Sequence, residues 1–287
     1  MAVGDKSKMH NYWQAIAEQV ERHFIFSFGG GVQSVAAMVL ASRGKIPYET
    51  FIFSNVGHDS ENPATLDYLE AIVKPFMKQY ELEFFEVQRV NRAGEPTTLY
   101  EYLMSDNKSV PIPVVLPSGS FGKRACTSDW KIKVIDKWIK ANRTGIVYVG
   151  LGISVDEFQR VRFSRPVIIN KKPRASAKST LKINKYPLID LRLTRQECIR
   201  IIQDAGLPVP SESSCYFCPF HNSKRWLNLS VHQPELFEKA VGIEQRINEK
   251  SKSVLRLHGS GLPLAQMANG QMPMFEEDNC ESGYCMV

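Results

Sequence analysis

The sequence of 287 residues contains no apolar run that approaches the length of a membrane span. Its start, from Met1 to His10, is polar and lacks the apolar centre of a signal peptide, so we expect a cytoplasmic protein that does not contact membranes. Six cysteines in a chain of this size argue against a disulfide framework and point to metal, redox or sulfur chemistry. Apolar residues make up 43% and charged residues 23% of the chain, as in globular proteins of one large or two modest domains.

Two common nucleotide-binding signatures are missing from the glycine-rich stretch Phe24-Ile25-Phe26-Ser27-Phe28-Gly29-Gly30-Gly31-Val32-Gln33-Ser34. It has neither the Gly-Lys-Ser/Thr ending of a Walker loop nor the spaced glycines of the dinucleotide fingerprint. The apolar run, the glycines and the apolar segment from Val35 to Ala41 predict a strand, a loop and a buried helix. This arrangement presents backbone N–H groups to phosphate. Any tight turn before a helix could use glycine, but three glycines ended by a serine favour an anion site.

The same stretch resembles the pyrophosphate loop (PP-loop) of ATP pyrophosphatases, written Ser-Gly-Gly-x-x-Ser, and of the related phosphoadenylylsulfate (PAPS) and adenylylsulfate reductases. Gly30 to Ser34 match, whereas Gly29 stands where the family has serine. Gly57, Pro63 and Thr65 also resemble a turn that lies beside the nucleotide in PAPS reductases. The resemblance implies bound ATP and Mg²⁺, a catalytic Ser34, and an ATP site that includes Ser27, Gly29, Gly30, Gly31, Val32, Gln33, Ser34, Gly57 and Gly152.

Strands alternating with helices predict an α/β fold, a doubly wound parallel sheet with an extended C-terminal portion. The later strands are predicted at Tyr48 to Ser54, Leu82 to Val87 and Gly145 to Leu151. Ligands bind such sheets at the carboxyl ends of the strands. We predict a nucleotide-binding domain over residues 1–205, with an N-terminal helix, and a helical region containing a Cys-x-x-Cys pair over residues 206–287.

The late Cys-x-x-Cys pair, Cys215 and Cys218, lacks the second pair that a zinc ribbon needs. A thioredoxin-type redox pair is an alternative, although it should follow an early strand. Adenylylsulfate reductases hold a four-iron cluster with a Cys-Cys pair and a distant Cys-x-x-Cys. This chain has Ala125 in place of the first cysteine, so the resemblance implies a [4Fe-4S] cluster on Cys126, Cys215 and Cys218.

The remaining cysteines have different predicted roles. Cys198 lies near the apolar face of a predicted helix and should be a buried structural thiol. Cys285, or Cys280, lies in a polar tail where a thiol is chemically available. PAPS reductases use a C-terminal cysteine as nucleophile, so the resemblance implies a catalytic Cys285 that accepts persulfide sulfur. The tail thiols could equally be incidental.

Acidic residues are absent from a basic run that extends from Arg160 to Lys185. Such a run is most often a solvated loop, but it could also contact a polyanion. We predict that its nucleic-acid contacts come from Arg160, Arg162, Arg165, Lys171, Lys172 and Arg174.

Together these features predict an ATP pyrophosphatase that adenylates a substrate oxygen for sulfur insertion. The basic run favours a nucleic-acid substrate, and the resemblance points first to the ATP pyrophosphatase component of bacterial DNA phosphorothioation, with DNA favoured over RNA. A cysteine desulfurase or another donor protein would supply the sulfur. The alternatives are a tRNA thiolase, a PAPS- or adenylylsulfate-type reductase that uses the C-terminal cysteine, and a non-enzymatic iron–sulfur module that binds nucleic acid.

Overall fold

A six-stranded sheet forms the centre of the molecule in a computed structural model that describes residues 21–162, 166–169 and 180–267. Its spatial order is β3-β2-β1-β4-β6-β5, and every neighbouring pair is parallel except the antiparallel pair β5 and β6. The predicted α/β fold is confirmed. The strands are β1 (Arg22–Phe28), β2 (Thr50–Asn55), β3 (Glu83–Gln88), β4 (Gly145–Leu151), β5 (Val167–Ile168) and β6 (Thr180–Lys185).

Helices cover both faces of this sheet, as a doubly wound fold requires. The described helices are α1 (Val32–Ser42), α2 (Pro63–Tyr68), α3 (Lys74–Gln79), α4 (Leu99–Met104), α5 (Ala125–Thr127), α6 (Lys133–Asn142), α7 (Pro187–Asp190), α8 (Arg195–Gln203), α9 (Ser223–His232), α10 (Pro234–Lys250) and α11 (Leu264–Met267). One-turn π segments, Leu69–Val73 and Ser128–Ile132, join α2 to α3 and α5 to α6. A 3₁₀ segment, Val155–Arg160, follows β4.

On one face, α1 and α8 pack against each other and against the aromatic side chains of β1 and β2. The apolar residues of α1 are buried almost all round, so this helix lies in the core rather than at its edge. On the other face, α6 covers Ile25, Ile52, Val147 and Val149. The site described below is at the carboxyl ends of the same strands.

A separate apolar cluster joins the C-terminal helices to the connection between β3 and α6. Leu99 and Trp130 pack there with Phe217, Trp226 and residues of α10. The cluster therefore draws on residues from both sides of the predicted boundary at residue 205. The division into two domains stays a prediction.

Local signals located several elements well. Pro63 occupies the first turn of α2, and Thr194 forms the predicted capping box with Glu197 at the start of α8. The predicted N-terminal helix lies outside the described residues. Among the described residues, no helix is both long and apolar enough to span a bilayer.

Candidate nucleotide site

The glycine loop leaves the central strand β1 at its carboxyl end and leads directly into α1. Gly30 has a φ of +76°, a left-handed conformation that glycine adopts without strain. Gly31 is the N-cap of α1, and no side chain caps this helix. The backbone N–H groups of the first turn of α1 are therefore available to an anion, which the helix dipole would also attract.

Ser34 closes the glycine loop from within α1. Its side chain is buried, and its Oγ accepts a hydrogen bond from the Gly29 N–H at 3.0 Å. The hydroxyl proton can still be donated to a ligand, because this contact uses only a lone pair of the oxygen. The hydroxyl of Ser34 therefore accepts one hydrogen bond within the loop and can donate another to a ligand.

The side chains of Val32 and Gln33 are turned away from the loop. Val32 packs in the core beneath α1. Gln33 Nε2 donates to Glu157 at 3.3 Å, and its Oε1 accepts from Arg195 at 3.3 Å. These residues can therefore serve a ligand at the loop with their backbone N–H groups, while Gln33 ties α1 to the segment after β4.

The partner of Gln33 in that segment, Glu157, forms a buried ion pair with Arg160. Arg160 Nη1 and Glu157 Oε1 are 2.5 Å apart, and the side chains are 6% and 3% exposed. Burial raises the pKa of Glu157, although Arg160 opposes this shift. The guanidinium of Arg160 is thus buried against a carboxylate, and the predicted contact of Arg160 with nucleic acid stays a prediction.

A mostly apolar cavity, partly open to solvent, lies beside the glycine loop. Ser27, Gly29 and Gly152 line it, together with Val149 and Leu151 of β4 and Ile132 and Ile135 beneath the sheet. Two lysines, Lys131 and Lys182, reach its wall. Lys131 is 3.4 Å from Glu61, and Lys182 is 2.6 Å from Asp136, so each is paired with a carboxylate.

Two of the predicted glycines have different surroundings. A Cβ on Gly152 would lie 3.3 Å from Ser34 Oγ, which places Gly152 against the loop. Gly57 has a φ of +127°, and a Cβ there would lie 2.4 Å from that of Thr98 at the start of α4. Gly57 is not among the residues that line the cavity. Because Gly57 has no side chain, the turn after β2 can lie close to the start of α4.

Sequence reasoning missed several residues of the site. Ser213 lies beside Gly31. The two lysines of the cavity wall, Lys131 and Lys182, come from segments that are far apart in the chain. Lys182 belongs to the basic run, for which the sequence leaves open a solvated loop or a polyanion contact, but it lies in β6 and pairs with Asp136. The alternation of apolar and polar residues from Thr180 to Lys185 was a signal for this strand.

The three cysteines predicted to bind a cluster lie near the C-terminal apolar cluster. Cys126 and Cys215 pack at its edge, and the Cys218 N–H donates to the Cys215 carbonyl oxygen at 3.1 Å in a tight turn. Within the described ranges, no group of three His, Cys, Asp or Glu residues is arranged to hold a metal ion. The [4Fe-4S] cluster on these three cysteines therefore stays a prediction from the sequence.

The structure describes only some of the other cysteines and basic residues that were singled out in the sequence. Cys198 is fully buried, as predicted, and burial raises its pKa to about 12, so it is not a nucleophile at neutral pH. Arg162 is exposed. The predicted residues that lie outside the described part of the chain are Arg165, Lys171, Lys172, Arg174, Cys280 and Cys285.

Comparison with solved structures finds chains that are similar to this one. No protein-family model matches the sequence, and no curated protein matches it. The chain is similar to the U34-tRNA thiolase NcsA from Methanococcus maripaludis, solved with its [4Fe-4S] cluster, at 13% identity and a TM-score of 0.40. The match covers 90% of this chain and 84% of the thiolase chain. At this identity and score, the likeness supports no conclusion about activity.

Proposed function

We propose that the chain is an ATP pyrophosphatase whose glycine loop binds the β- and γ-phosphates of ATP. The observation that carries this proposal is the uncapped start of α1, reached through the left-handed Gly30 at the carboxyl end of the central strand. The adjoining cavity has apolar walls that suit a base and a ribose.

In the proposed reaction, an oxygen of the substrate attacks the α-phosphorus of ATP and the bond to pyrophosphate breaks. The backbone N–H groups after Gly31 and the hydroxyl of Ser34 stabilise the charge on the leaving pyrophosphate. Lys131 and Lys182 add positive charge at the cavity wall. A sulfide then attacks the adenylated centre, and AMP leaves with the original oxygen. A persulfide would attack in the same way, and a thiol would then have to attack its inner sulfur, which releases the thiolated product and leaves the donor as a disulfide.

Mg²⁺ is proposed as the ion that accompanies ATP. It is usually bound by one or two carboxylates together with phosphate oxygens, and Asp136 is a carboxylate of the cavity wall. A [4Fe-4S] cluster on Cys126, Cys215 and Cys218 stays a proposal, and no step is assigned to it. Iron and acid-labile sulfide in anaerobically purified protein would test that prediction directly.

The proposed substrate is a nucleic acid, with DNA favoured over RNA, and a cysteine desulfurase or similar protein is the proposed sulfur donor. The support comes from the basic run, whose exposed members include Arg162 and Lys185. Arg160 and Lys182 are each paired with a carboxylate, so the exposed residues are the stronger support. Catalysis by Cys285 also stays a proposal.

The test is to identify the products formed from ATP and Mg²⁺ with and without DNA or RNA. We expect AMP and pyrophosphate, and we expect Gly30→Ala to abolish their formation, because a Cβ there would lie 2.9 Å from Thr65 Cγ2. Gly44→Ala is the matched control, since Gly44 has a φ of +66° but no atom near its Cβ position. ADP and orthophosphate as products would overturn the proposal.

A further inference from the structure

The three glycines of the loop carry no side chains, so any hydroxyl that binds a phosphate besides those of Ser27 and Ser34 must come from another segment. We propose that Ser213 and Thr65 supply these hydroxyls and complete the pyrophosphate-binding site around the glycine loop. This inference rests on the proposed function and names two ligand-binding residues that the loop motif does not contain.

Ser213 lies directly against the loop. A Cβ placed on Gly31 would be 2.7 Å from Ser213 Oγ, and one placed on Gly30 would be 3.7 Å from Ser213 Cβ. Gly31 has a φ of −95°, so it is close packing rather than backbone conformation that favours glycine there. The hydroxyl therefore reaches the edge of the loop where α1 begins.

Thr65 approaches the loop from α2. Its Cγ2 would be 2.9 Å from a Cβ on Gly30, so its side chain packs against the left-handed residue of the loop. The side chain is 2% exposed, and within the described residues its Oγ1 has no hydrogen-bond partner. The methyl group of Thr65, rather than its hydroxyl, is the part that contacts Gly30, so the side chain has to turn for Oγ1 to reach a ligand. A buried hydroxyl without a partner destabilises the fold, and a phosphate oxygen reached in this way would satisfy it.

The segment that carries Ser213 is held in place by Arg225 of α9. Arg225 pairs with the Glu212 side chain, and its Nη2 donates to the Glu212 carbonyl oxygen at 3.3 Å and to Ser214 Oγ at 2.6 Å. Ser214 Oγ also lies 3.0 Å from His221 Nε2. On the other side of Ser213, Cys215 forms a β-bridge with Glu61 in the turn after β2.

These contacts fix the backbone on both sides of Ser213 while its own hydroxyl faces the loop. A hydroxyl held in this way can donate to an anion without first losing much conformational freedom. Arg225 is a positioning residue in this arrangement, because it contacts the residues before and after Ser213. Its guanidinium is already paired with Glu212.

The experiment measures binding of inorganic pyrophosphate, ATP and adenosine by calorimetry to the full chain and to single variants. We expect Ser213→Ala and Thr65→Val each to weaken pyrophosphate and ATP binding by about 10- to 100-fold, the range for one hydrogen bond to a charged group. Adenosine binding should not change. Ser211→Ala is the matched control, because Ser211 is exposed in the same segment.

A thermal melt without ligand separates binding from folding. Thr65→Val keeps the shape of the side chain and removes its unpartnered hydroxyl, so the variant should be at least as stable as the parent while it binds pyrophosphate less tightly. Gly31→Ala should also weaken pyrophosphate binding, because its methyl group would displace the Ser213 hydroxyl.

The binding measurements test the proposed function and the roles of Ser213 and Thr65 separately. A parent protein that binds neither ATP nor pyrophosphate would refute the proposed function, and this inference with it. A parent that binds both, with Ser213→Ala and Thr65→Val variants of unchanged affinity, would refute this inference and leave the proposed function standing.

Discussion

Replacing Glu157 by Gln should destabilise the protein strongly, because it removes one partner of a buried ion pair. The carboxylate of Glu157 and the guanidinium of Arg160 are 2.5 Å apart and almost fully buried. Glutamine keeps the size of the side chain and an oxygen that can accept from Gln33. The substitution therefore mainly removes the charge that balances Arg160.

Breaking a buried pair in this way costs about 3–5 kcal/mol of unfolding free energy, because the remaining charge is buried without compensation. A chain of this size loses roughly 2 °C of melting temperature per kcal/mol, so the midpoint should fall by about 6–10 °C. The double variant Glu157→Gln/Arg160→Met should recover most of this loss, since it removes the second charge as well.

Urea denaturation of the single and double variants measures these differences. The matched control is Arg162→Met, which removes an exposed arginine two positions away and should change stability by less than about 0.5 kcal/mol. If Glu157→Gln lost under 1 kcal/mol, or if the double variant were as unstable as the single one, the buried pair would not have the role assigned to it.

Three further predictions concern other parts of the site. Burial and Arg225 hold the pKa of His221 well below 6.5, so below that pH the unfolded chain takes up a proton that the folded chain does not. Unfolding free energy should therefore fall as pH drops from 7 to 5, by up to about 1.4 kcal/mol per pH unit, and urea titrations of His221→Gln should show a shallower slope. Lys182→Met should weaken ATP binding in calorimetry more than adenosine binding, and equal losses would contradict a phosphate contact. Joint replacement of Lys171, Lys172 and Arg174 by alanine should flatten the log–log salt dependence of DNA binding by up to about three units, and an unchanged slope would remove these residues from the interface.

Local patterns in the sequence were enough to locate the centre of the site. The apolar run before Gly29 predicts β1, and the glycines followed by an apolar segment predict the loop and α1. The same holds for the capping box at Thr194 and for the strand Gly145–Leu151. These features depend on hydrogen bonds and side-chain periodicity within a few residues, so the residue types specify them without knowledge of the rest of the fold.

Tertiary structure alone decided which distant residues share the site. The sequence around Ser213 shows no sign that its hydroxyl lies beside Gly31, because that contact depends on Arg225 and on the bridge between Cys215 and Glu61. The surroundings of the residues in the basic run also depend on segments that are distant in the sequence. Arg160 is buried with its partner Glu157, which also accepts a hydrogen bond from Gln33 of α1, and Lys182 reaches the cavity because β6 pairs with β4. A charge run has the same local pattern whether its members are solvated, paired or bound to a phosphate, and only the packing of other segments around each side chain distinguishes these states.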